Sequence, residues 1–501
     1  MAAGAGELLA QALAPGLPWA AIAVALPLGA ALASALGRAL ARALVLPVSL
    51  LGVLVALAAS LQVMRHGPQE LAIGGWRPPL GIVLRTDGLG AAFLLVGSLA
   101  ALAALAFALE PMRQRPARQP WAFWPLAFGL LGALNAAFLA GDLFNLFVAL
   151  ELLTVCGVAL VALEGSPAAV AAAMRYLLFA LLGSLAYLLG VMLVYAHFGT
   201  LDLQALAQLP LAREYAVLPA ALLSVGLMAK AALFPLHGWL ASAHASAPAP
   251  ASALLSALVV KAPVLVLVRL WSDILAPLAT PSLGQFMGTL GAAALVLGSL
   301  MALRQQRLKL VVAYSTVAQL GYLLLLFPLA TGDARAGEWA SAAWTGVVLH
   351  ALAHALAKAA MFLSAGAMAE ALGHDRIDGL AGLGSAMPLA AFAFGLAALS
   401  LMGLPPSGGF LAKYLLLVAS LASGQWWWAV VMLAGGLLAA AYLFRPIAGL
   451  LAAAPVHLQR PVSWRRQLLP FGLALAAVAL GIASAAPLRL LGATQVPEVL
   501  L

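Results

Sequence analysis

Fourteen stretches of about twenty residues run along this chain with scarcely a charge in them, the first at residues 20–36 and the last at 468–486. A bilayer core about 30 Å thick takes roughly 20 apolar residues to cross as a helix, and a backbone inside it must satisfy its own hydrogen bonds. The pattern therefore predicts an all-α membrane protein of about 14 transmembrane helices. Composition agrees: 65% of the 501 residues are hydrophobic and 8% are charged, against about 25% charged in soluble domains. Such a chain cannot cover a water-facing surface, which excludes a soluble enzyme and a disordered protein. The net charge of +9 sits largely on arginines in the short gaps between apolar runs. It is not clustered on a solvated face, so no nucleic-acid partner is expected.

Several chemistries are absent. Cys156 is the single cysteine, which rules out an intrachain disulfide and a cysteine metal cluster. None of the five lysines follows a glycine as in a phosphate-binding loop, and no HExxH zinc motif occurs. No cofactor, no metal and no catalytic site of its own are expected, and the energy for any work must come from an ion gradient or from partner subunits. Loops after odd-numbered runs hold fourteen Lys and Arg, and loops after even-numbered runs six, Arg77, Arg115, Arg269 and Arg335 among the twenty. By the positive-inside rule the odd loops are cytoplasmic. The expectation is a multi-pass protein of a prokaryotic plasma membrane with both termini outside. No basic segment precedes the first run, so a cleaved signal peptide is not expected.

Two runs carry breaks of a similar kind. In the seventh, Lys230 lies five residues before Pro235; in the twelfth, a Gly-Leu-Pro-Pro-Ser-Gly-Gly stretch at 403–409 precedes Lys413. Proline removes a backbone hydrogen bond, and at membrane depth such breaks persist where protein or a cavity meets the freed groups. Paired interrupted helices are the usual pointer to an ion path between inverted repeats.

The charges left inside the runs are Glu151, Lys230, Lys261, Lys358 and Lys413. Each costs at least about 2.5 to 3.5 kcal/mol at the bilayer centre and so needs a reason. A structural ion pair is the alternative for Glu151, and snorkelling the alternative for Lys230 and Lys261. His350, His354 and Lys358 recur at intervals of four, each turned about 40° and raised about 6 Å from the last, so all three share one helix face. Histidine titrates near neutrality, and the row suits the passage of protons. His237 and His244 follow the break in the seventh run. His237 is placed as an access path to a surface, with packing beside Trp239 as the alternative. An alkali cation needs oxygen ligands, and Glu151 reads as the only deep carboxylate, so the residues point to a proton path.

These segments resemble the D subunits of Mrp-type multisubunit cation/proton antiporters. The resemblance rests on GDLFNLFV at 141–148 followed by Glu151, on 230–240, on ASAPAP at 245–250 leading to Lys261, and on 308–322 and 403–410. The wider superfamily takes in antiporter-like subunits of respiratory complex I and membrane-bound hydrogenases, which the 235–240 segment and the His350, His354, Lys358 row resemble more. The resemblance implies two inverted five-helix repeats, helices 4–8 and 9–13. The division is then 1–120 for helices 1–3, 121–271 and 272–451 for the repeats, and 452–501 for helix 14. It also implies that Glu151 pairs with Lys230, that Lys261 is the central lysine, and that His354 and Lys358 relay to an exit at Lys413. The function implied is proton translocation within a multisubunit Na+/H+ antiporter beside other membrane subunits. A proton-pumping subunit of complex I or of a hydrogenase is the alternative.

Overall fold

The computed structural model describes residues 18–495 apart from 77, 79–80, 115–117 and 331–335. Arg77, Arg115 and Arg335 of the charge count lie outside the described residues. Each of the fourteen apolar runs is helical. The helices are α1 Trp19–Ser34, α2 Arg38–His66, α3 Gly88–Gln114, α4 Arg118–Leu139, α5 Leu143–Ala162 and α6 Pro167–Phe198. Helix α7 has two parts, Arg213–Lys230 and Leu240–Ser246, and is followed by α8 Ala249–Ile274, α9 Pro281–Leu303, α10 Leu308–Ala330 and α11 Ala336–Leu372. Helix α12 is likewise double, Pro388–Met402 and Gly408–Ala422, and precedes α13 Trp426–Leu451 and α14 Trp464–Ile482. Among the described residues, eleven helices are long and apolar enough to cross a membrane, and three apolar helices are shorter. Other elements lie outside the apolar pattern, short helices at Leu203–Gln208 and Leu383–Ala386 among them. An antiparallel hairpin, β1 Gln69–Ala72 with β2 Val83–Thr86, joins α2 to α3, and α15 Ala485–Gln495 follows α14.

Local chemistry sets many of the helix starts. Asp142, Ser166, Thr280 and Ser407 each accept a hydrogen bond from the backbone N–H three residues on, opening α5, α6, α9 and the second part of α12. These are side-chain oxygens meeting donors that a helix N-terminus leaves free. Pro167 and Pro281, the first residues of α6 and α9, have no N–H to leave unpaired.

Packing then sorts the helices. Every residue from 251 to 270 in α8 and from 345 to 368 in α11 is buried, whereas α2, α6 and α13 turn large apolar faces outward, with Leu54, Leu185 and Leu437 each more than 60% exposed. A helix apolar all round belongs inside a bundle, and α8 and α11 form its axis. Helices α6 and α7 approach closely where Gly183 meets Gly226: a Cβ on Gly226 would lie 2.5 Å from the Gly183 carbonyl oxygen.

Candidate functional site

Position 151 is fixed by the start of α5. Gly141 donates its N–H to the Val83 carbonyl, and Asp142 caps the helix through the Asn145 N–H at 2.7 Å. Burial raises the Asp142 carboxyl above its ordinary range, and the nearby charge of Asp202 adds to this, against backbone N–H groups that lower it. Two turns further along α5, Glu151 receives Lys230 Nζ at 2.7 Å. Lys230 also donates to Thr154 Oγ1 at 3.0 Å and to the Leu150 carbonyl at 3.4 Å, and Ser184 of α6 donates to the same Glu151 oxygen. The lysine side chain is 4% exposed and the glutamate 27%.

Lys230 is the last residue of the first part of α7. There the chain leaves the helix through Ala232 at φ +54°, a left-handed conformation uncommon for a residue with a Cβ. Trp239 holds this end in place. Its indole N–H donates to the Ala229 carbonyl at 3.1 Å, and its ring lies parallel to Tyr176 of α6 at 4.0 Å. His237 is half-buried and stacks on Phe234 at 5.3 Å, and its Nδ1 has no hydrogen-bond partner among the described residues. No described hydrogen bond joins it to the lysines.

Lys261 is fully buried. It follows a π-helical turn, Leu255–Val259, inside α8. Such a turn displaces the α-helical bonding ladder and recurs at functional sites. Here the Ser256 carbonyl accepts Lys261 Nζ, and Ser256 Oγ meets Thr316 Oγ1 of α10 at 2.9 Å. Thr316 donates to the Val312 carbonyl at 3.2 Å; that carbonyl also accepts Lys358 Nζ at 2.8 Å, and Lys358 donates again to Ser315 Oγ. Polar groups on one face of α10, Thr316 Oγ1, the Val312 carbonyl and Ser315 Oγ, thus lie between the lysines of α8 and α11.

Beyond Lys358, the rings of His354 and His350 are stacked 5.7 Å apart. Both nitrogens of His354 are buried and unpartnered among the described residues, while His350 Nε2 lies 3.1 Å from the Gln319 carbonyl. Tyr322 stands 5.2 Å from the His350 ring, and Lys413 Nζ lies 4.4 Å over the Tyr322 ring while donating to the Leu401 carbonyl at 2.6 Å. The sequence placed His354 and Lys358 in that order between Lys261 and Lys413. On α11, His350 stands at the end next to Tyr322 and Lys413, and Lys358 at the end that shares the Val312 carbonyl with Thr316.

Two features escaped the sequence reading. Arg269, counted there in a loop, lies within α8 and is 7% exposed in its side chain, and its Nη2 reaches both Asp87 carboxylate oxygens at 2.8 Å. Glu151, itself partly exposed, is therefore not the only carboxylate inside the bundle; Asp87, which also caps α3 through the Gly90 N–H, is buried more fully. The hydroxyls of Thr154, Ser184, Ser256, Ser315 and Thr316 were also missed as members of the row. Among the described residues no group of three or more His, Cys, Asp or Glu is placed to hold a metal ion.

The class defined by these observations is a polytopic helical membrane protein with two interrupted helices and a row of buried ionisable side chains across its centre. A family model described as the transmembrane region of NADH:quinone oxidoreductase and Mrp antiporters matches residues 140–439, and the chain belongs to that family. The N subunit of the NADH-quinone oxidoreductase of Desulforudis audaxviator is 37% identical, over 78% of this chain and 77% of its own length. The D subunit of the Na(+)/H(+) antiporter of Alkalihalophilus pseudofirmus is 29% identical, over 74% of this chain and 73% of its own. A chain in the structure of the Mrp complex from Dietzia sp. DQ12-45-1b aligns with a TM-score of 0.85 at 26% identity, covering 95% of this chain and 96% of that one.

Proposed function

We propose that this chain is the proton-translocating membrane subunit of a multisubunit Na+/H+ antiporter. The observation that carries the reading is the set of ionisable side chains inside the bundle: the Glu151–Lys230 pair, Lys261, Lys358, His354, His350 and Lys413. Lys230 alternates between Glu151 and the side facing Lys261. An ion pair at about 4 Å is worth about 4 kcal/mol at an effective dielectric near 20, so its making and breaking changes the proton affinity of Lys261. A proton then passes from Lys261 to Lys358 over water held by the hydroxyls of Ser256, Ser315 and Thr316, goes on to the histidines, and leaves at Lys413. Similarity to the D subunits of antiporters and to the Mrp complex supports this assignment.

The ends of the row support a multisubunit setting. Glu151 is 27% exposed on an outer face otherwise made of Val148, Leu152 and Leu185, and a carboxylate open to hydrocarbon is costly. Other membrane subunits cover that face. The division into repeats at 121–271 and 272–451 is part of the proposal. The long helices α6 and α11 stand third in each set of five, and the broken helices α7 and α12 stand fourth.

The 37% identity to a quinone oxidoreductase subunit favours a second reading, in which the same row is driven by redox partners. Purified assemblies in liposomes with a pH-sensitive dye separate the two. Under the first reading an imposed Na+ gradient drives proton movement with no electron donor present. Proton movement that requires NADH and quinone, and ignores Na+, selects the second.

We place both termini outside the plasma membrane. A cysteine at Pro210, before α7, is expected to react with a membrane-impermeant thiol reagent in intact cells, and one at Ala453, after α13, only after permeabilisation. Native Cys156 is buried and leaves a low background. The opposite labelling pattern would reverse the orientation.

A further inference from the structure

A cleft of about 560 Å³ opens on the membrane-facing side between the first part of α7 and α9, with Trp271 of α8 in its wall. Its walls are apolar: Val217, Val225 and Met228 on one side, Phe286, Met287 and Leu290 on the other. The hydroxyls in the lining are already engaged. Ser224 accepts the Trp271 indole N–H at 2.9 Å and donates to the Ala220 carbonyl, while Thr280 accepts from the Leu283 N–H. The remaining polar group is the Arg213 guanidinium at one end, exposed and with no hydrogen bond or ion pair among the described residues.

The dimensions match one leaflet. From Val217 to Met228 a helix rises about 16 Å, and half of a hydrocarbon core about 30 Å thick is about 15 Å. Arg213 stands a further turn beyond the apolar part of the cleft, where a lipid filling that length would place its headgroup. We infer that this cleft is a binding site for an anionic phospholipid, with an acyl chain between α7 and α9 and the phosphate on Arg213. Ala221, small and exposed, leaves room for the chain. The far end of the cleft is lined by Met228, Pro235 and Leu236, so the end of the chain packs against the break that carries Lys230. The inference requires only that the chain spans a bilayer, and it stands apart from the transport assignment.

The test uses the full-length protein purified in its assembly. It is exchanged into vesicles of phosphatidylcholine with either phosphatidylglycerol or further phosphatidylcholine, re-extracted, and its retained lipid measured by native mass spectrometry. Wild type is expected to retain phosphatidylglycerol over phosphatidylcholine. Arg213→Gln is expected to lower that preference about fivefold, the contribution of one basic residue near an anionic surface. Ala221→Phe, which fills the cleft and spares the arginine, is expected to abolish retention of both lipids at this site. Unchanged phosphatidylglycerol retention in Arg213→Gln or in Ala221→Phe would overturn the inference. So would a photo-crosslinker at Leu283 that captured a partner polypeptide in place of lipid.

Discussion

Replacing Lys261 with methionine is expected to lower proton-coupled transport by about 10² or more, the scale on which a positioned proton-transfer group contributes, while the amount of chain in the membrane stays near wild type. Methionine fills much the same space among fully buried neighbours, and volume-conserving swaps cost less than about 1.5 kcal/mol. What disappears is the ammonium group on the Ser256 carbonyl. An acceptor left without a partner costs about 1 to 3 kcal/mol, which a large bundle tolerates. Ser256→Ala keeps that carbonyl and removes the hydroxyl contact with Thr316, and is expected to slow transport less than Lys261→Met does. Transport rates in reconstituted assemblies, set against membrane abundance, decide the matter. Wild-type rates in Lys261→Met would remove the lysine from the path and leave the chain a scaffold.

The second large effect concerns the Glu151–Lys230 pair. Glu151→Gln and Lys230→Met are each expected to abolish transport and also to reduce abundance. Glu151→Gln leaves Lys230, 4% exposed, buried without its partner at about 3 to 5 kcal/mol, and Lys230→Met leaves Glu151, 27% exposed, unpaired at a smaller cost. Ser184 and Thr154 remain on the orphaned group and soften the loss without replacing the countercharge. The double variant Glu151→Gln/Lys230→Met carries no buried charge at this point. Its abundance is therefore expected to recover towards wild type, giving a coupling energy measurable by a double-mutant cycle, while transport stays absent. Recovery of both abundance and transport in the double variant would show that the pair only holds α5 against α7.

The amino-acid sequence by itself determined the membrane class, the fourteen helical runs and the breaks in the seventh and twelfth. Twenty residues without charge and a proline or glycine cluster inside a run leave few other outcomes. It also singled out Glu151, Lys230, Lys261, His350, His354, Lys358 and Lys413, because a charge in an apolar run is conspicuous and a spacing of four fixes a helix face. Their connections were not legible. Thr154 and Thr316 each turn a hydroxyl back to the carbonyl four residues earlier, as such residues do in ordinary helices, so nothing in their local pattern marks them as members of a row. Arg269 and Asp87 sit at helix ends and read as loop residues until α8 and α3 are brought together. Which neighbours His350 and Lys358 meet was likewise decided by packing: α10 presents Val312 and Ser315 to Lys358, and Gln319 and Tyr322 to His350. Charge and period are properties of one helix and can be read from it alone, whereas the contacts among these side chains are a property of the faces that several helices turn towards one another.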